Sequence, residues 1–230
     1  MYFDPLYMLV MGLGFVLSLG AQAWVKSATS KWSKVPIGRG LTGRDVAQLI
    51  LDQAGVRGVK IEQVGGILSD HYDPSSKTLR LSEANYSGRS VTAAGIAAHE
   101  VGHALQDADN YPLMALRQKL VPVANIGSTL GIWIVAIGAM VGAMGVAKIG
   151  VVIFGGFVLF TVVTLPIELD ASRRAKRALL ATGVVDHQEA KGVSAVLTAA
   201  AATYLAAMIS AVLQLLYWAM RAGLLGGRDD

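Results

Sequence analysis

The sequence predicts a mainly α-helical integral membrane protein, with four transmembrane helices and a small α+β subdomain on the cytosolic side. Three observations predict it. Of the 230 residues, 53% are hydrophobic, more than a water-soluble domain of this size carries. The excess is concentrated in four runs, residues 5–25, 121–144, 149–167 and 196–220, each near the roughly 20 residues a helix needs to cross a ~30 Å hydrocarbon core. Seventeen of the twenty Lys and Arg residues fall in the two segments that follow the first and third runs, leaving Lys148, Arg221 and Arg228 for the other side. Basic residues are retained on the cytosolic side of a membrane, so both long segments are expected in the cytosol and both termini outside.

Taken in order, the run 5–25 begins Met1-Tyr2-Phe3-Asp4, without basic residues, and its positive charges come after it. That order is expected of a retained anchor rather than a cleaved signal peptide. Residues 26–120 form the cytosolic subdomain. Within it Thr42-Gly43-Arg44-Asp45 resembles a capping box, with Asp45 where Glu or Gln is usual, and opens a helix whose apolar face is Val46, Ile50 and Leu51 and which stops at Gly55. Strand-like runs follow at 59–64, 67–71 and 78–81. The turn signal Asp73-Pro74-Ser75-Ser76 pairs the last two as a hairpin in a small antiparallel sheet. Asn85-Tyr86-Ser87-Gly88 reads as a loop, and Ser90 as the N-cap of a helix through the small apolar run 91–98. The runs 121–144 and 149–167 are joined by a tight turn around Lys148. Residues 168–194 return to the cytosol, Val185-Asp186-His187-Gln188-Glu189 opens a helix with an acidic first turn, and the last run is 196–220.

Composition removes several function classes. There is no cysteine, hence no disulfide, no thiolate metal site and no lipidated cysteine. The net charge of +4 does not point to nucleic acid, because the run Ser172-Arg173-Arg174-Ala175-Lys176-Arg177 follows an apolar helix, where basic residues meet lipid headgroups.

The chemistry is carried by His99-Glu100-Val101-Gly102-His103. Positions i and i+4 share one face of a helix, so both imidazoles can address one metal ion, and Glu100 is placed to take a proton from a water at that metal. A catalytic zinc usually has three protein ligands and an open position. The third comes from His71, Glu168, Asp170, Asp186, His187 or Glu189, all on the cytosolic side. Glu168 is favoured, because a carboxylate entering the end of an apolar helix is costly without a partner, and a metal held by His99 and His103 would be one. Pro166 can redirect the helix there. Asp170 lies roughly opposite on the helical wheel. His71 reads as a strand-end histidine making an ordinary hydrogen bond, and His187 as structural.

The chain resembles the bacterial membrane zinc metallopeptidases of the YugP type. The resemblance runs through His71-Tyr72-Asp73-Pro74, Leu79-Arg80-Leu81-Ser82, Gly88-Arg89-Ser90, the stretch from Ala97 through the histidine motif to Ala104-Leu105-Gln106, and the stretch from Leu165 to Ala175. That family is distantly similar to the membrane proteases related to HtpX and the CAAX prenyl endopeptidase. The resemblance implies a zincin-like subdomain with a gluzincin site: zinc on His99, His103 and Glu168, with Glu100 as the base. In those relatives an aspartate four residues after the glutamate steadies a ligand histidine. Here Ser172 holds that place, and Asp107, one turn past His103, is the candidate substitute.

The expectation is therefore a zinc endopeptidase of the cell membrane, its site facing the cytosol, acting on membrane-associated polypeptides in the lipid bilayer and not on nucleic acid. His71, Tyr72 and Tyr86 are candidates to assist the oxyanion. The rival is a metal-stabilised membrane scaffold or assembly factor, and retention of Glu100 argues against it, since a structural site needs no base. Metal transport is disfavoured because the apolar runs carry few polar ligands.

Overall fold

The computed structural model of the chain describes residues 4–66 and 69–225. Eight α-helices and three strands follow one another: α1 (Pro5–Trp32), α2 (Gly43–Gln53), β1 (Lys60–Val64), β2 (His71–Asp73), β3 (Thr78–Ser82), α3 (Glu83–Tyr86), α4 (Val91–Ala108), α5 (Pro112–Ile126), α6 (Ile132–Met140), α7 (Met144–Ala181) and α8 (His187–Arg221). A π-helical stretch, Gly127–Gly131, joins α5 to α6 without a break. Among the described residues, four helical segments are long and apolar enough to cross a membrane: Pro5–Trp32, Pro112–Met140, Met144–Ala181 and His187–Arg221.

The chain divides into two units. One comprises Met1–Ala21, Ala115–Pro166 and Thr203–Asp230. Inside it Val135, Ala147, Val151, Tyr217 and Trp218 form one buried cluster, and Phe154, Val158 and Ala211 another. Large apolar side chains also point outward. Leu9, Phe15, Trp133 and Val152 are each more than 60% exposed, the reverse of the surface a protein presents to water. The turn expected at Lys148 lies instead at residues 141–143, and Lys148 is inside α7. Gly142 accounts for the shift. Its φ of +75° is open to glycine at little cost and reverses the chain there.

The other unit comprises Gln22–Met114 and Ile167–Ala202. Its helix α2 begins with the expected reciprocal cap: the Asp45 amide donates to Thr42 Oγ1, and the Thr42 amide to Asp45 Oδ2. Val46, Ala47, Ile50 and Leu51 are buried in one core with Leu79 and Leu81 of β3, Val91, Ala94, Ala97, Ala98 and Val101 of α4, and Ala175 and Leu179 of α7. The sheet order is β1-β3-β2, with β2 antiparallel and β1 parallel to β3. The expected purely antiparallel sheet is thus corrected to a mixed one. The strands alternate in direction, but β3, with Leu79 and Leu81 fully buried, takes the centre and separates β1 from β2. The middle strand expected at 67–71 begins only at His71, and Ile67 lies outside the described residues.

The loop expected at 85–88 is half helix, since Asn85 and Tyr86 belong to α3. Asp70 accounts for this, accepting from the Ser82 amide, the Ser82 hydroxyl and Asn85 Nδ2 and so fixing the strand-to-helix junction. Helix α4 starts at Ser90, whose hydroxyl accepts from the Ala93 amide, and is closed by Asn110 at φ 52°.

Candidate metal centre

The 18 residues of α4 are small and apolar on almost every side, which lets the helix be buried through most of its length and carries His99, Glu100 and His103 inward with it. The two imidazole centroids are 4.9 Å apart at 83°. Facing them is Glu168 of α7, whose residue is 2% exposed. Its Oε2 lies 3.2 Å from His99 Nε2 and 3.5 Å from His103 Nε2. Among the described residues these three side chains form a group whose ligand atoms lie within 4.8 Å of one another.

Helix α7 reaches the site because Pro166 sits inside it without ending it. It reaches it closely because residue 102 is glycine. A Cβ there would stand 2.5 Å from the Ala171 carbonyl oxygen. The donor set fits zinc. Nitrogen and oxygen ligands at about 2.0–2.1 Å in a tetrahedron are separated from one another by roughly 3.3 Å, close to both histidine–glutamate distances. The two Nε2 atoms face the carboxylate while each Nδ1 is engaged elsewhere: His99 Nδ1 with Ser172 Oγ at 3.2 Å, and His103 Nδ1 with Gln106 Oε1 at 3.0 Å. Burial alone would push the His103 pKa down, but the hydrogen bond and charge of Glu168, with the charge of Glu100 added, push it up. Glu100 is 8% exposed.

The remaining sequence candidates fall elsewhere. Asp170 accepts from Gln106, Arg173 and Arg174, and so braces the neighbourhood without joining the group. His71 is exposed on β2, with Nδ1 2.7 Å from the Ser69 carbonyl oxygen. Asp186 accepts from the amides of Gln188 and Glu189, which caps α8, and His187 is simply that helix's first residue. Glu189 accepts from the Gly38 amide. Tyr86 packs on the core.

Asp107 does not take the place of a histidine partner. It accepts from the hydroxyl of Tyr72, which ties β2 to α4. Burial and that bond push the Tyr72 pKa above its ordinary value, so the hydroxyl stays a neutral donor. Ser172, in the place of the relatives' aspartate, meets His99, while the partner of His103 is Gln106, which sequence reasoning missed. It is fully buried, and the only signal was a polar residue three positions past His103 on the motif helix.

Residues 7–223 match the family described as "Putative neutral zinc metallopeptidase". The chain is 41% identical over 225 residues to "Putative membrane protease YugP" of Bacillus subtilis (strain 168), an alignment that covers 98% of each chain. No solved structure matches it.

Proposed function

The chain belongs to the family described as "Putative neutral zinc metallopeptidase", and from that premise we propose that it is a membrane-embedded zinc endopeptidase that cleaves membrane-associated polypeptides. The observation that carries the reading is that Glu168 Oε2 lies within 3.5 Å of both His99 Nε2 and His103 Nε2, on the helix that also carries Glu100 between the two histidines in sequence. His99, His103 and Glu168 would hold the metal. Zinc bound there supplies Lewis acidity, which acidifies a water and polarises a carbonyl. Glu100 takes the proton from the attacking water and hands it to the leaving amine nitrogen, so water adds across the peptide bond and carboxylate and amine products leave. Burial of the histidines and Glu168 keeps bulk water from competing for those donors.

The uneven basic residues support a site on the cytosolic side with both termini outside, and the outward apolar side chains of the first unit support insertion. Residues 26–120 and 168–194 would then be the cytosolic parts of a four-span protein. A substrate would lie extended along β2. That strand is an edge of the sheet, is tied to α4 by Tyr72 and Asp107, and among the described residues pairs only with β3. A chain tethered to the same membrane gains effective concentration at a site whose third ligand, Glu168, directly follows the apolar run of α7.

The test is Glu100→Gln in the purified full-length protein. Charge is lost and size kept, so zinc content and melting temperature should match wild type while cleavage of membrane-anchored peptides falls by on the order of 10²–10⁴. Equal turnover by both proteins would refute the peptidase reading.

A further inference from the structure

Gln106 is fully buried and uses both ends of its carboxamide. Nε2 donates to the Ile167 carbonyl oxygen at 2.9 Å and to Asp170 Oδ2 at 3.0 Å, while Oε1 lies 3.0 Å from His103 Nδ1. The orientation of the amide is not free. Turned over, it would set its oxygen against a carbonyl and a carboxylate, both acceptors only. With the nitrogen so committed, the end facing His103 is an acceptor, and Nδ1 must carry a proton. The other nitrogen, Nε2, is then the one that faces Glu168, and it is the one that can offer a lone pair to a metal once it has given up its proton. Ser172 beside His99 imposes nothing comparable, because a hydroxyl both donates and accepts. Asp170 is itself held by Arg173 and Arg174, so the acceptor that fixes Gln106 is fixed in turn. The second acceptor, Ile167, is the residue before Glu168.

We infer that Gln106 is a positioning residue that presets the metal centre on both helices: it obliges His103 to offer Nε2, and it anchors the α7 backbone next to Glu168. This rests on the zinc reading above for its purpose, though not for its geometry.

The test compares the wild-type chain with Gln106→Met, which keeps the volume without hydrogen bonds, and Gln106→Glu, which keeps an acceptor for His103. Three quantities are measured: zinc affinity by chelator competition, the melting temperature of the metal-free protein, and the protected Nδ1–H resonance of His103 in metal-free, ¹⁵N-histidine-labelled protein, where the chain has four histidines to assign. Gln106→Met should lose the protected resonance and bind zinc roughly ten- to a hundredfold more weakly. Gln106→Glu should keep the resonance and bind zinc more tightly than Gln106→Met. It should also be the less stable of the two without metal, because its second oxygen faces Asp170 and the Ile167 carbonyl. Wild-type affinity in Gln106→Met, or affinity that merely follows metal-free stability across the three proteins, would overturn the assignment. If Gln106→Met does not fold, the resonance in Gln106→Glu decides, its loss counting against the inference. If the wild type binds no zinc, the zinc reading fails by itself. The resonance then judges Gln106 alone: presence in wild type and loss in Gln106→Met uphold it, and no difference overturns it.

Discussion

Replacing Gly102 by alanine adds one methyl group on the face of α4 that meets α7, and the structure sets the size of the effect. The new Cβ would lie 2.5 Å from the Ala171 carbonyl oxygen and 3.1 Å from its Cα and carbonyl carbon. Ordinary contact begins near 3.4 Å, so the helices must separate locally by about 0.9 Å, and backbone atoms cannot swing aside as a side-chain end would. Glu168 is three residues from Ala171 on the same helix, and it must keep its Oε2 within ligand reach of two nitrogens now 3.2 and 3.5 Å away. Metal sites tolerate roughly 0.2 Å. Overpacking of this kind costs about 1–3 kcal/mol, and the better helix propensity of alanine returns up to about 1 kcal/mol. Contacts this short with backbone atoms fall at the upper end of that cost, so about 1–2 kcal/mol of strain remains. It is relieved most directly by opening the site, and zinc affinity should fall roughly five- to thirtyfold. Chelator competition on purified protein reads the affinity, and the metal-free melting temperature shows how much strain remains in the fold. If the Gly102→Ala protein binds zinc and melts as the wild type does, the close approach of α4 and α7 does not set the ligand geometry, and the reasoning is wrong.

Further outcomes are expected from the same geometry. Glu168→Gln should lose zinc on metal analysis while Asp170→Asn keeps most of it, and the opposite pattern would move the third ligand. The metal-free protein should lose stability as pH rises above about 6.5 and through the raised pKa of His103, because a histidine that gains a partner on folding stabilises only while it is protonated. Melting temperatures between pH 6 and 9 should therefore fall in wild type and stay flatter in His103→Asn, and equal slopes would count against the His103–Glu168 pair. In intact cells, cysteines placed at Ser76 and Thr182 should be shielded from an impermeant reagent, and one at Gly227, outside the described residues, should react. The absence of native cysteine leaves the background clean, and labelling of Ser76→Cys from outside would reverse the orientation.

Features that depend on neighbours along the chain are legible in the sequence. Thr42 and Asp45 announce a helix start because a capping box is closed within four residues, and His99 and His103 announce a shared face because helical spacing alone puts them there. The four long helices follow from apolar length. Glu168 stands out because a carboxylate at the end of an apolar run calls for a partner. Features set by distant packing are not legible. The placing of β3 between β1 and β2 depends on which strand is most buried, and strand spacing in the sequence carries no record of strand order. Gln106 looks like any polar helical residue until α7 arrives with an acceptor pair. Gly102 carries no sign that a backbone will pass within touching distance.

His99 and Glu168 are 69 positions apart, with the whole of α5 and α6 and the larger part of α7 between them. During synthesis the histidine motif leaves the ribosome first, and one long apolar helix and most of a second must follow before Glu168 is made. A chain arrested anywhere before residue 168 carries the motif but lacks the carboxylate opposite it. The order of the elements therefore delays completion of the centre until that length of helix has been delivered. On the proposed reading, a nascent or truncated chain, still exposed to other unfolded polypeptides, would hold an unfinished site.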